Sequence, residues 1–319
     1  MLRSFLISLS KAAWAQRLVT GWKFAWNAAS RFVAGNTIED AIQVVRDLNA
    51  KGINATLDHL GESTSTKEDA IKAADDIIEL LEQITCCEVR ANVSVKLTQI
   101  GLALDERLCT QNLERILSSA RKNNNFVRID MEDTPYTDQT LRMYQEMFSK
   151  GFRNCGIVIQ SYLYRTEKDT RELLEAGARI RLVKGAYKEP ANLAFPKKAD
   201  VDANFDLLTQ IMIEAANMTG SPTLSADGRI PPIPAIGSHD PRRLEFAKAR
   251  AEKVNLPKRA IEFQMLYGIR RDLQDDCVNE GYPVRIYVPY GTHWYPYFMR
   301  RLAERPANVW FFLSNFFRK

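Results

Sequence analysis

Arg300 and Arg301 stand side by side in the segment YVPYGTHWYPYFMRRLAERP near the end of this chain. Neighbouring residues on a helix diverge by about 100°, which still lets both guanidinium groups reach a ligand lying across the helix. Guanidinium forks match carboxylates bidentately, so two of them can form an anion clamp. Arg301 and Glu304 are three apart, and that spacing equally suits a surface ion pair worth a few tenths of a kcal/mol. The local sequence leaves both readings open. Thr292 is placed to cap the helix that carries Tyr297 and the two arginines.

A second group of chemically capable residues emerges from short apolar runs. In Val93-Ser94-Val95-Lys96-Leu97 the side chains alternate between two faces, so Lys96 and Ser94 oppose the apolar face. The same alternation sets Asp130 against Val127, Ile129 and Met131, and it turns Gln160, Arg181, Gln264 and Tyr287 to the corresponding face of later runs. Six polar side chains on the inner faces of strands, near their C-terminal ends, suit a catalytic or binding site. They suit equally a buried network in which Lys96 pairs with Asp130, because a lone buried charge is costly. The glycine in Val183-Lys184-Gly185-Ala186-Tyr187 allows close backbone approach to a ligand, and Lys184 adds positive charge there.

The elements that must position these residues form a regular series. Runs at 53–60, 92–97, 126–131, 156–162, 179–183, 234–239, 261–266 and 284–289 alternate with segments of helical character. One such segment begins at Thr37, has Glu39 and Asp40 in its first turn, and closes at Gly52; another spans about 66–84. Eight strand–helix units predict an α/β fold with a closed (β/α)8 TIM barrel over residues 37–319, and residues 1–36 form an N-terminal helical segment. A doubly wound open sheet is disfavoured, because neither G-x-G-x-x-G nor G-x-x-x-x-G-K-[ST] occurs. Barrel enzymes assemble their sites at the C-terminal rim of the strands, where the six polar residues lie.

Composition narrows the function classes. The 45% hydrophobic content supports a core without disulfides, and the five cysteines, with Cys86 next to Cys87, read as reduced thiols. A net charge of +5, spread along the chain, is no nucleic-acid signature. His59, His239 and His293 lack metal-ligand spacing. No apolar run reaches the roughly 20 residues of a membrane span. The N-terminal MLRSFLISLSKAAWAQRLVTGWKFAW and the aromatic tail from Trp310 to Phe317 fit either packing on the barrel or peripheral contact with an anionic bilayer.

The motifs VSVKL, RIDME, RIRLVKGAY, FQ-x-L-x-G, RIY-x-P-x-G-T-H and Y-x-x-RRL-x-E, in that order, make the chain resemble the FAD-dependent proline dehydrogenases of the monofunctional bacterial type, from about residue 50 to 305. The resemblance implies a distorted barrel with its last helix over the mouth. It implies that Arg300, Arg301 and Lys96 bind the proline carboxylate and that Asp130 orients that lysine. Tyr287, Tyr297 and Leu266 would wall the ring, and Glu62 would pair with Arg300 over the ligand. Arg181 would sit near flavin N5. Met131, Gln160, Val183, Lys184, Gly185, Ala186, Ser238, His239, Gln264 and Glu304 would lie along FAD. The implied reaction oxidises L-proline to Δ1-pyrroline-5-carboxylate and passes electrons to a quinone, with a separate pyrroline-5-carboxylate dehydrogenase downstream. The implied location is the cytoplasm or the inner face of the cell membrane. Two other readings remain at this point: a Schiff-base aldolase using Lys96 or Lys184, and a non-catalytic anion-binding barrel docked at a membrane.

Overall fold

The computed structural model describes residues 19, 23–61 and 64–304. Eight strands close into a parallel barrel in sequence order: β1 (Asn54–His59), β2 (Ala91–Val95), β3 (Val127–Ile129), β4 (Cys155–Gln160), β5 (Arg179–Val183), β6 (Pro234–Gly237), β7 (Glu262–Leu266) and β8 (Val284–Tyr290), with β8 pairing back onto β1. Among the described residues, two helices precede β1, namely α1 (Lys23–Ala29) and α2 (Ile38–Ala50). One helix then follows each strand: α3 (Lys67–Cys86), α4 (Glu106–Lys122), α5 (Thr134–Ser149), α6 (Thr166–Glu175), α7 (Lys198–Met218), α8 (Pro241–Lys253), α9 (Arg271–Asn279) and α10 (Trp294–Glu304). Every expected strand run coincides with an observed strand.

Local chemistry sets the helix ends. Thr37 accepts a hydrogen bond from the Asp40 amide, and the Asp40 carboxylate accepts from the Thr37 amide at 3.2 Å, a reciprocal box that starts α2. Gly52 follows α2 with φ +79°, the left-handed step that a helix C-terminus commonly needs. α10 begins at Trp294, so Thr292 lies one residue outside the capping position expected of it, and its hydroxyl faces His293 Nδ1 at 3.4 Å.

The two faces of the strands differ in chemistry. Outward residues such as Leu57, Val93, Val95, Ile129, Ile157, Leu182, Phe263 and Ile286 are fully buried against helices in one core, and each contributes on the order of 1.5–3 kcal/mol. Inward residues are largely polar: Thr56, Asp58, Ser94, Arg128, Arg181, Glu262, Gln264 and Arg285 are all buried. Barrel interiors are usually layers of branched aliphatics. Here hydrogen bonds replace that packing. At the floor, Arg285 Nε and Nη2 reach the Glu262 carboxylate at 2.9 and 3.1 Å, with both side chains buried.

α10 departs from the ring of wall helices. Trp294, Tyr295, Phe298 and Leu302 form a separate apolar cluster with Ala25, Ala29 and Val33, in and just beyond α1, and with Leu60 after β1. The Trp26 and Trp294 rings meet edge to face at 5.6 Å. The described end of the N-terminal segment therefore packs on the last helix; residues 1–18 and the aromatic tail lie outside the described residues. Among the described residues, no helix is long and apolar enough to cross a membrane.

Candidate active site

A cavity of about 670 Å³ opens at the C-terminal ends of the strands. Lys96, Asp130, Gln160, Arg181, Gln264 and Tyr287 all line it, as alternation predicts, and Tyr297, Arg300 and Arg301 reach it from α10. The helix thus covers the mouth, and the strand set and the arginine pair meet in one place. Arg301 is 7% exposed, with its guanidinium 5.1 Å from the Tyr297 ring centroid, so it belongs to the buried lining rather than to the surface. Arg300 is half-buried. Leu266, Met131, Val183, Lys184, Gly185, Ala186, Ser238 and His239 complete the expected wall. Glu62 and the side chain of Glu304 lie outside the described residues.

The polar atoms form a connected network. Asp130 Oδ1 accepts from Ser94 Oγ at 2.6 Å and from Arg181 Nη1 at 2.9 Å, while its Oδ2 accepts from the Tyr287 hydroxyl at 2.7 Å. Arg181 Nε donates to Gln264 Oε1 at 2.5 Å, and Gln264 Nε2 donates to Glu262 at 2.6 Å. The floor ion pair therefore fixes which end of the Gln264 amide faces Arg181. Tyr287 also accepts from Lys96 Nζ at 3.2 Å, and its ring lies 5.4 Å from the Arg181 guanidinium. Burial, followed by the Asp130 and Asp58 charges, holds the Tyr287 phenol well above its ordinary range, so it stays a protonated donor.

Two features add to the expected set. The ion pair expected between Lys96 and Asp130 is present, with Nζ 3.7 Å from Oδ2, and Asp58 adds a nearer carboxylate, with Nζ–O distances of 2.9 and 3.0 Å. Asp58 is fully buried at the end of β1; burial raises its pKa against the opposing pull of Lys96. The alternation of Asn54, Thr56 and Asp58 was the available signal for this residue. Lys184, expected to bring positive charge beside Gly185, bridges Asp202 at 2.5 Å and Asp240 at 2.9 Å. Gly185 lines the cavity, but its glycine requirement is local. It has φ +112°, and a Cβ there would come within 2.5 Å of the Tyr162 ring.

His239, expected from resemblance alone, has a visible anchor. Its Nε2 accepts the Leu266 amide at 2.9 Å, which places the proton of the neutral imidazole on Nδ1 and ties the loop after β6 to β7. Chemically, the site offers four cations from three parts of the chain (Lys96 just beyond β2, Arg181 on β5, Arg300 and Arg301 on α10) in a cavity that Tyr287, Tyr297, Met131 and Leu266 also line. That combination suits a small apolar molecule with a carboxylate.

Comparison with known proteins agrees with this chemistry. The family model described as "Proline dehydrogenase" matches residues 41–313. The chain is 41% identical over 291 residues to Proline dehydrogenase 1 of Bacillus subtilis (strain 168), covering 91% of each chain. It is 41% identical over 294 residues to Proline dehydrogenase of Deinococcus radiodurans, covering 91% of this chain and 90% of that one. The solved structure of proline utilization A (PutA) from Bdellovibrio bacteriovorus inactivated by N-propargylglycine superposes with a TM-score of 0.78 at 27% identity, over 88% of this chain and 33% of that one. With the barrel, the motifs and these relatives in agreement, the chain belongs to the proline dehydrogenase family, oxidoreductases that act on proline.

Proposed function

We propose that this chain oxidises L-proline to Δ1-pyrroline-5-carboxylate with FAD bound along the cavity, the electrons passing on to a quinone. The observation that carries the reading is the convergence of Lys96, Arg181, Arg300 and Arg301 on one cavity of about 670 Å³. That volume falls within the range of about 300–1,000 Å³ typical of cofactor and ligand sites. Its lining fits a flavin: Arg181 is a buried cation beneath the rim, and the backbone from Val183 to Ala186 forms a wall next to Ser238 and His239. FAD, when bound, supplies the two-electron acceptor for the hydride leaving the ring carbon next to nitrogen.

The chain's own residues orient the substrate. Arg300, Arg301 and Lys96 hold the carboxylate, while Tyr287, Tyr297 and Leu266 confine the ring. The same cations favour loss of the amine proton, because positive neighbours disfavour an ammonium. Asp130 keeps Arg181 and Tyr287 in place rather than acting as the base. Lys96 is charge-paired with a buried carboxylate, which does not suit the free amine that a Schiff-base aldolase requires. We place the enzyme in the cytoplasm or peripherally at the inner face of the membrane, with its product taken up by a separate pyrroline-5-carboxylate dehydrogenase.

The test is the absorbance of the purified protein. Flavin bands that bleach on anaerobic addition of L-proline are the expected result. A flavin-free protein that cannot be reconstituted with FAD would overturn the reading.

A further inference from the structure

Asp58 does not line the cavity, yet its two oxygens hold the ammonium of a residue that does. Strand register explains the placement. Asp58 pairs with Ser94 on β2, two residues before Lys96, and with Pro289 on β8, two residues after Tyr287. The carboxylate is 0% exposed, so its ion pair is not screened by water.

The next carboxylate for Lys96 among the described residues is Asp130, whose Oδ2 is 3.7 Å from Nζ. That oxygen already accepts the Tyr287 hydroxyl, and the other oxygen serves Ser94 and Arg181. Without Asp58, the ammonium would lose its two short hydrogen bonds and lean more heavily on Asp130, which it already meets at 3.7 Å. It would then compete for the group that holds Arg181 and Tyr287. Opposite charges in a low-dielectric interior make this competition strong.

We propose that Asp58 is a positioning residue for proline oxidation: its two hydrogen bonds fix Lys96 at the cavity wall. The inference rests on the reading of Lys96 as a partner of the substrate carboxylate.

The experiment is a double-mutant cycle with Asp58→Asn, Lys96→Met and their combination. It measures kcat/KM for L-proline and the dissociation constant of cyclopentanecarboxylate, read from the bound-flavin spectrum. Each single change should lower kcat/KM by roughly tenfold or more and weaken cyclopentanecarboxylate, while the combination should be no worse than Lys96→Met alone. A purely structural role for Asp58 would make the losses multiply, and that result would overturn the proposal. If Asp58→Asn alone does not fold, the combination, which buries no unpaired ion at this pair, is compared with Lys96→Met. Equal kcat/KM supports the proposal, and a further tenfold loss refutes it. Unchanged kinetics in Lys96→Met would instead sink the assignment of Lys96 on which the inference rests.

Discussion

Replacing Arg301 by Met is the sharpest test of the arginine clamp. The guanidinium is 7% exposed, so its bonds to a carboxylate would form largely out of water. Hydrogen bonds to charged groups are worth about 1.5–3 kcal/mol, and removing one partner of a buried charge pair costs about 2–5 kcal/mol. Arg300, Lys96 and Arg181 remain nearby, so a value near the middle applies. About 3 kcal/mol corresponds to roughly a hundredfold loss in kcat/KM. The carboxylate is held in both ground and transition states, so the loss should fall mainly on KM. Methionine keeps a stem of similar length against Tyr297, which limits the change to the charged fork. Lysine at the same position retains charge without the fork and should recover only part of the loss. Steady-state rates with L-proline and an artificial acceptor, normalised to bound flavin, give the number. A change below threefold at full flavin content would refute the clamp.

Two further predictions concern stability. His59 stacks on Tyr290 at 5.1 Å, and burial lowers its pKa below 6.5 despite the nearby Asp76. The unfolded chain therefore binds a proton that the folded chain resists, and stability should fall as the pH drops below about 6.5 toward the folded-state pKa. Denaturant midpoints across pH 5–7 should show that slope, and His59→Phe should flatten it; an unchanged slope would count against the assignment. Arg285→Met leaves Glu262 buried without its ion-pair partner and should cost about 3–5 kcal/mol. Adding Glu262→Gln should return much of that in urea unfolding, whereas a double variant as unstable as the single would show that the pair was not the cause.

Much of the site is legible in the sequence because strand alternation is strict. Lys96, Asp130, Gln160, Arg181, Gln264 and Tyr287 each face inward for the same reason that Val95 or Ile129 faces out. Choice of partner is less legible. Asp58 and Lys96 are 38 residues apart, and their contact depends on how β1 and β2 register once the barrel closes. Period two says that both point inward, but not that Asp58 is nearer than Asp130. The seat of α10 is hidden for a similar reason. Its aromatic stripe announces a buried face, but nothing local says that α1, rather than the strands, is what it meets.

The charge pattern at the mouth suggests a division of labour between barrel and helix. Around the strand ends the groups alternate in sign, as Asp58, Lys96, Asp130 and Arg181, each within 4 Å of the next. These four formal charges cancel, so they fix geometry while adding little net attraction for a distant anion. Arg300 and Arg301 bring further positive charge to the same cavity from α10, which packs with α1 in a cluster apart from the main core. In the proposed reading, Arg300 and Arg301 of α10 share the carboxylate with Lys96, while the orientation of the reacting ring belongs to residues fixed by the strands. Proline held in this way would lie between them, with its carboxylate toward the helix and its ring against Tyr287 and Leu266.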